Sequence, residues 1–215
     1  MPTPKPDACK ECPAYGWGEY WVPDTIVPDS EVLFLLQNPG EYEEQGLRVI
    51  ERVGRNQYRT EPTHPQPLIG PTGYDADLHW FPLAGFKRGD VSLSNTVRCR
   101  YGGTNELTPA SSKLGRAVQE FCTRSHRYIP DQTKLIVACG AHAAAAMGCP
   151  GSVTDWRGYI IPGSNPPVLV TLHPADLNHQ PKMGIACVKD WKKIPRILNG
   201  EWPLPVPPIR YYRGS

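Results

Sequence analysis

No stretch of this 215-residue chain is apolar for long enough to cross a bilayer; the longest apolar runs, such as Val32 to Leu36 and Leu135 to Cys139, have strand length. A soluble protein with no membrane partner is therefore expected. An excess of one charge is missing too: 23 Lys and Arg against 21 Asp and Glu leave a formal net charge of +2. That balance neither implies nor excludes a polyanionic partner, because a binding face can be locally basic. The opening residues, Met1 to Ala8, are polar and proline-rich and lack an apolar signal region, so an intracellular, reducing, cytoplasmic setting is expected. Internal repeats are absent, and low complexity is confined to the proline-rich end. The length suits one α/β domain and falls short of two ordinary domains plus a linker; we expect residues 1–200 to form it and residues 201–215 to be a tail.

What the sequence has in quantity is punctuation, with 25 prolines and 20 glycines that imply many turns and extended connections. It also has seven cysteines. In a reducing compartment these do not read as a disulfide set, so metal binding, catalysis and burial must share them.

Along the chain, residues 1–30 read as an irregular arm with Cys9, Cys12 and an aromatic cluster of Tyr15, Trp17, Tyr20 and Trp21. Val32 to Leu36 is the continuous apolar run of a strand buried on both faces, stopped by Gln37-Asn38-Pro39-Gly40. Such a turn exposes Gln37 and Asn38 at the carboxyl edge of a sheet, where open α/β folds bind ligands. Residues 41–67, with Arg48, Arg52, Arg55 and Arg59, read as a loop or a short surface helix. Further strands are expected at Val91 to Val97, Leu135 to Gly140 and Val168 to Leu172. Helices are expected at Asp75 to Leu83, from Thr108-Pro109 to about Arg127, at Ala141 to Met147 and at Lys182 to Leu198. Strands alternating with helices predict an α/β fold: a mainly parallel four-stranded central sheet flanked by helices.

The cysteines form a pattern. Cys9-x-x-Cys12 precedes the first strand, Cys99 follows the second, and Cys122 lies late in the next helix. Thiolates so arranged can converge on zinc or on an iron–sulfur cluster, and spacing alone does not choose between the two. Cys139 and Cys187 fall in apolar or helical settings that suit core residues, and Cys149 falls in a turn.

Taken in order, Cys9-x-x-Cys12, Gln37-Asn38-Pro39-Gly40-x-x-Glu43-Glu44, Pro67-Leu68-Ile69-Gly70-x-x-Gly73, Asn95-x-x-Arg98-Cys99-Arg100, Thr108-Pro109, Cys122, Trp156-Arg157-Gly158 and His173-Pro174-Ala175 resemble the iron–sulfur branch of the uracil-DNA glycosylase superfamily, families 4 and 5. The resemblance covers about residues 9–198. It implies a monomeric DNA glycosylase with a [4Fe–4S] cluster on Cys9, Cys12, Cys99 and Cys122. It further implies that Asn95 reads the Watson–Crick edge of a flipped base, and that His173 donates a hydrogen bond to the base oxygen that gains charge. Gly40, Leu68 and Tyr74 are expected to border the base, with Arg100 on the DNA. Leu177, beside Asn178, is expected to wedge into the vacated stack.

Two positions depart from that pattern. Relatives begin the first motif G-E-x-P-G or G-L-A-P-G, whereas Leu36-Gln37-Asn38-Pro39-Gly40 puts two amides there. An amide is no strong base but can position a water, a role in which Asn38, flanked by Gln37, matches the asparagine of the mismatch-specific and single-strand-selective branches. Leu68 stands where relatives carry a stacking phenylalanine, so Tyr74 or another aromatic must replace that face or the pocket has been reshaped. These changes predict excision of uracil or of a modified pyrimidine. Covalent trapping of the base, which one related branch achieves through a histidine in a basic loop after the cluster cysteine, is not expected, because Tyr101 to Glu106 carries none. The competing classes are a non-catalytic DNA-binding or replication-associated member of the same fold, and a zinc-ribbon-like protein.

Overall fold

The computed structural model describes residues 3–17, 20–100, 112–176 and 183–201. Four strands, β1 (Val32–Leu36), β4 (Ser92–Asn95), β5 (Leu135–Cys139) and β6 (Val168–Thr171), form one sheet in the order β4-β1-β5-β6. All three pairings are parallel. The strands are buried throughout; β1, β5 and β6 are accordingly runs of mostly apolar residues, while β4, Ser92-Leu93-Ser94-Asn95, buries polar side chains as well. Val32, Phe34 and Leu36 of β1 face one layer with Phe81, Leu93, Trp191 and Ile194. Leu33 and Leu35 face the opposite layer with Ala143, Ala144 and Trp156.

The helices among the described residues are α1 (Glu41–Gln45), α2 (Pro71–Asp75), α3 (Phe81–Leu83), α4 (Lys113–His126), α5 (Ala141–Ala146), α6 (Val153–Trp156), α7 (Gly184–Trp191) and α8 (Lys193–Leu198). A π turn over Ala76–Trp80 joins α2 to α3. Ser112 caps α4 by accepting from the Gly115 N–H at 3.0 Å. The helix expected to start at Thr108-Pro109 is therefore described from Lys113, and residues 101–111 lie outside the described residues.

Residues 41–67 are neither a loop nor only a short helix. After α1, β2 (Leu47–Gly54) and β3 (Gln57–Pro62) form an antiparallel hairpin separate from the main sheet. Its turn residue Asn56 has φ +57°, a conformation asparagine tolerates better than most residues. Ion pairs Arg48–Asp77 at 3.3 Å and Arg52–Asp75 at 3.1 Å, with the Val49 N–H donating to the Ile69 carbonyl at 2.9 Å, tie the hairpin to the segment around α2. Among the described residues, no helix is long and apolar enough to cross a membrane.

Candidate active site

The parallel ladder fixes the site. Leu36 lies opposite Asn95 in the β1–β4 register, and the ladder continues as the Thr96 and Val97 N–H groups donate to the Leu36 and Gln37 carbonyls at 2.9 and 3.1 Å. Asn38 and Asn95 therefore emerge side by side at the carboxyl edge. His173 follows β6 two residues past its end, and the glycine closing β5 makes room for it. Gly140 has φ +90°, and a Cβ there would lie 3.0 Å from that of His173.

One pocket of about 370 Å³ is lined by Asn38, Gly40, Tyr42, Glu43, Leu68, Asn95 and His173, with neighbouring residues of the same loops. Its volume lies within the range of small-molecule sites. Among the described residues, two polar atoms in it are buried without a partner, the Asn38 Oδ1 and the Asn95 Nδ2. Each such atom costs about 1–3 kcal/mol, a strain natural proteins tolerate where a ligand will satisfy it. Asn38 uses its own Nδ2 to donate to the Pro39 carbonyl at 3.0 Å, which leaves the acceptor for the pocket. His173 is arranged in the opposite sense. The Ala175 N–H donates to its Nδ1 at 3.2 Å, so the proton of the neutral ring sits on Nε2 as a donor. Burial, with His142 nearby, holds the imidazole below its ordinary pKa against the opposing charge of Asp176.

Glu43, part of the first motif, is a further site residue whose role only the fold reveals. Its carboxylate accepts the N–H groups of Gly40 and Leu68 and so ties the first motif to the second, while burial raises its pKa. Leu68, buried at 3% exposure, has φ +62° although it is not glycine. Among the described residues Tyr42, rather than Tyr74, is the aromatic that lines the pocket, and its ring meets Tyr58 of the hairpin edge-on at 6.4 Å. Gln37 does not line the pocket; its carbonyl is held by the Thr96 hydroxyl at 2.5 Å. Arg100 lies beside the pocket, 3.6 Å from Glu41 and 3.9 Å from Glu44. Leu177, Asn178 and the segment Tyr101 to Glu106 lie outside the described residues.

The four cysteines singled out by spacing meet in a second place. Cys9, Cys12, Cys99 and Cys122 line one cavity whose remaining wall includes Ala14, Val97, Val118 and Phe121. Burial pushes the Cys9 thiol up to about 11, with the Cys122 and Cys12 thiols adding to the effect, and pushes Cys99 up to about 12. His126, near the end of α4, brings its Nε2 within 3.3 Å of the Cys9 sulfur and packs edge-on against Trp21 at 4.5 Å. Among the described residues no three ligating side chains group closely enough to hold a single metal ion. The donor set is four thiols around an apolar hollow, ligands of the kind that iron–sulfur clusters and zinc both take. Cys139 and Cys187 are fully buried core residues, and Cys149 is half-buried near the end of α5.

The uracil DNA glycosylase superfamily model matches residues 23–194, most of the chain. The chain belongs to that superfamily. At the level of the family it is a DNA glycosylase, a hydrolase of N-glycosyl bonds. The chain is also 25% identical over 201 residues to a type-4 uracil-DNA glycosylase from Sulfurisphaera tokodaii, a match that covers 87% of this chain and 79% of the relative. The superfamily match spans the pocket motifs from Gln37 to His173, while Cys9 and Cys12 precede it.

Proposed function

We propose that this glycosylase takes a uracil or a modified pyrimidine flipped out of DNA and hydrolyses its N-glycosidic bond, leaving an abasic site. The observation that carries the reading is the complementary pair of unpartnered atoms in one pocket: an acceptor on Asn38 and a donor on Asn95, beside a neutral histidine donor.

The chemistry follows from what these groups can and cannot do. The Asn38 amide cannot take a proton with the strength of a carboxylate, so it orients a water through Oδ1 rather than activating it. Attack then comes late, on a sugar whose bond to the base is already largely broken. Negative charge collects on the departing base, and the donors at Asn95 Nδ2 and His173 Nε2 stabilise it. A neutral imidazole suits this task, because its donated hydrogen bond strengthens as the acceptor oxygen becomes an anion. Leu68 supplies apolar contact in place of a stacked aromatic ring. That substitution supports a base preference wider than uracil alone, with Tyr42 as the nearest aromatic wall.

Cys9, Cys12, Cys99 and Cys122 would hold a [4Fe–4S] cluster, which supplies a rigid cross-link among the arm, the loop after β4 and helix α4. The iron–sulfur character is consistent with the type-4 relative. Residues 1–200 would then act as one domain, with Arg100 toward DNA. The non-catalytic alternative retains the motif change at Gln37-Asn38 as its argument, and activity separates the two. Iron-loaded protein should release uracil from single- or double-stranded oligonucleotides, and 5-substituted pyrimidines at a measurable fraction of that rate. Strict uracil preference would remove the modified-base reading. Salt-sensitive binding with no excision of any base would favour the non-catalytic one.

A further inference from the structure

The second motif does not hold its own shape. Leu68 sits in the left-handed region at φ +62°, where a branched side chain is strained, yet its side chain forms part of the pocket wall. Gly73 pins the same peptide from below, since a Cβ there would lie 1.7 Å from the Leu68 carbonyl oxygen. Three of the loop's carbonyls converge on one guanidinium. Arg88 donates through Nη2 to the Leu68 carbonyl at 2.5 Å and to the Gly73 carbonyl at 3.3 Å, and through Nη1 to the Pro67 carbonyl at 3.4 Å. Its Nε is fixed by both oxygens of Asp77 at 2.8 and 3.0 Å, and its plane lies over the Phe81 ring at 5.7 Å. Arg88 itself does not line the pocket.

We propose that Arg88, oriented by Asp77, is a positioning residue that holds Leu68 in its left-handed conformation and thereby sets the base-contacting wall. Three carbonyls on one planar fork are a task for arginine that lysine's point charge cannot reproduce. On the opposite side of the same peptide segment, the Leu68 N–H is taken by Glu43, so the residue is gripped at both its amide and its carbonyl. The inference rests on the glycosylase reading for its kinetic consequence, but not for its structural one.

Leu68→Gly supplies the test, because glycine adopts this backbone without being forced. Single-turnover excision of uracil would be measured for the wild type, R88K, L68G and R88K/L68G, alongside amide hydrogen exchange at residues 67–73. In the leucine background R88K should slow excision by about tenfold, the scale of left-handed strain in a non-glycine residue. It should also speed exchange at the Leu68 amide. In the glycine background the same change should cost less than about twofold in rate. An equal loss in both backgrounds would reduce Arg88 to general stability and overturn the proposal. If the wild type excises nothing, the exchange data still decide: unchanged protection of Leu68 in R88K refutes the clamp, whereas inactive wild type with a Leu68 amide that loses protection refutes only the glycosylase reading.

Discussion

At the scale of single residues, the site divides into groups whose roles follow from hydrogen-bond polarity. His173 is the clearest case. Its Nδ1 accepts from the Ala175 N–H, so protonation would put two donors face to face. Burial depresses its pKa below the ordinary value near 6.5, and the unfolded chain therefore binds this proton more readily than the folded one. Stability and excision linked to His173 are thus complete above the ordinary histidine value and fall as pH drops through the folded one. We expect a rate flat across neutral pH with an acid limb below about 6.5, and loss of that limb in His173→Gln; a limb unchanged in the variant would assign it elsewhere. Glu43 yields a second prediction. Because its two oxygens accept two different backbone N–H groups, Glu43→Gln must turn an NH₂ toward one of them. A loss of about 1–3 kcal/mol in denaturant unfolding is expected, and an unchanged midpoint would show that the loops hold without it. Asn38 was placed at the sheet's carboxyl edge by the turn that stops its strand, whereas Asn95 and His173 were expected beside it through the family resemblance; all three line one pocket. Arg88 and the role of Glu43 were not legible in the sequence. Their partners are backbone carbonyls and amides brought together only by folding, and Arg88 in Lys87-Arg88-Gly89-Asp90 looks like any surface turn.

Whole elements were readable where burial is two-sided. β1, β5 and β6 are short apolar runs and β4 sets Val91, Leu93 and Val97 among polar residues, and the expected ends of all four strands fall within two residues of the observed ones. The hairpin was missed for a physical reason. Register shifts between Val49 and Glu51 and between Arg52 and Gly54 break the two-residue alternation that marks a strand. The surviving signal was Val49, Ile50, Val53 and Thr60 around Gly54-Arg55-Asn56, β-branched residues flanking a turn. Helix α4 carries buried Cys122 and half-buried His126 one turn apart, which ties the thiol cavity to the body of the fold. If the four thiols hold a cluster, Cys99→Ser and Cys122→Ser will each lower bound iron, the visible absorbance band and the melting temperature together. Cys149→Ser will leave the iron content unchanged. Equal iron in all three variants would sever the cavity from any cluster.

For the whole molecule, the decisive feature is that distant segments converge twice. The carboxyl edge of the sheet gathers Asn38 from β1, Asn95 from β4 and His173 after β6, and the arm gathers with the loop after β4 and with α4 around the four thiols. The strand order puts β1 between β4 and β5, so the chain leaves β1 toward one side and later crosses to the other, the place where open α/β sheets bind ligands. Convergence was foreseeable as a family pattern, but not from spacing, because parallel pairing brings together residues more than a hundred positions apart. The most direct measurement is single-turnover release of uracil from an oligonucleotide by iron-loaded protein, compared among wild type, Asn38→Ala and His173→Ala at matched DNA binding. The account predicts excision by the wild type and losses of about a hundredfold or more in each variant, the scale of one transition-state hydrogen bond, with binding retained. Wild-type rates in both variants would contradict it.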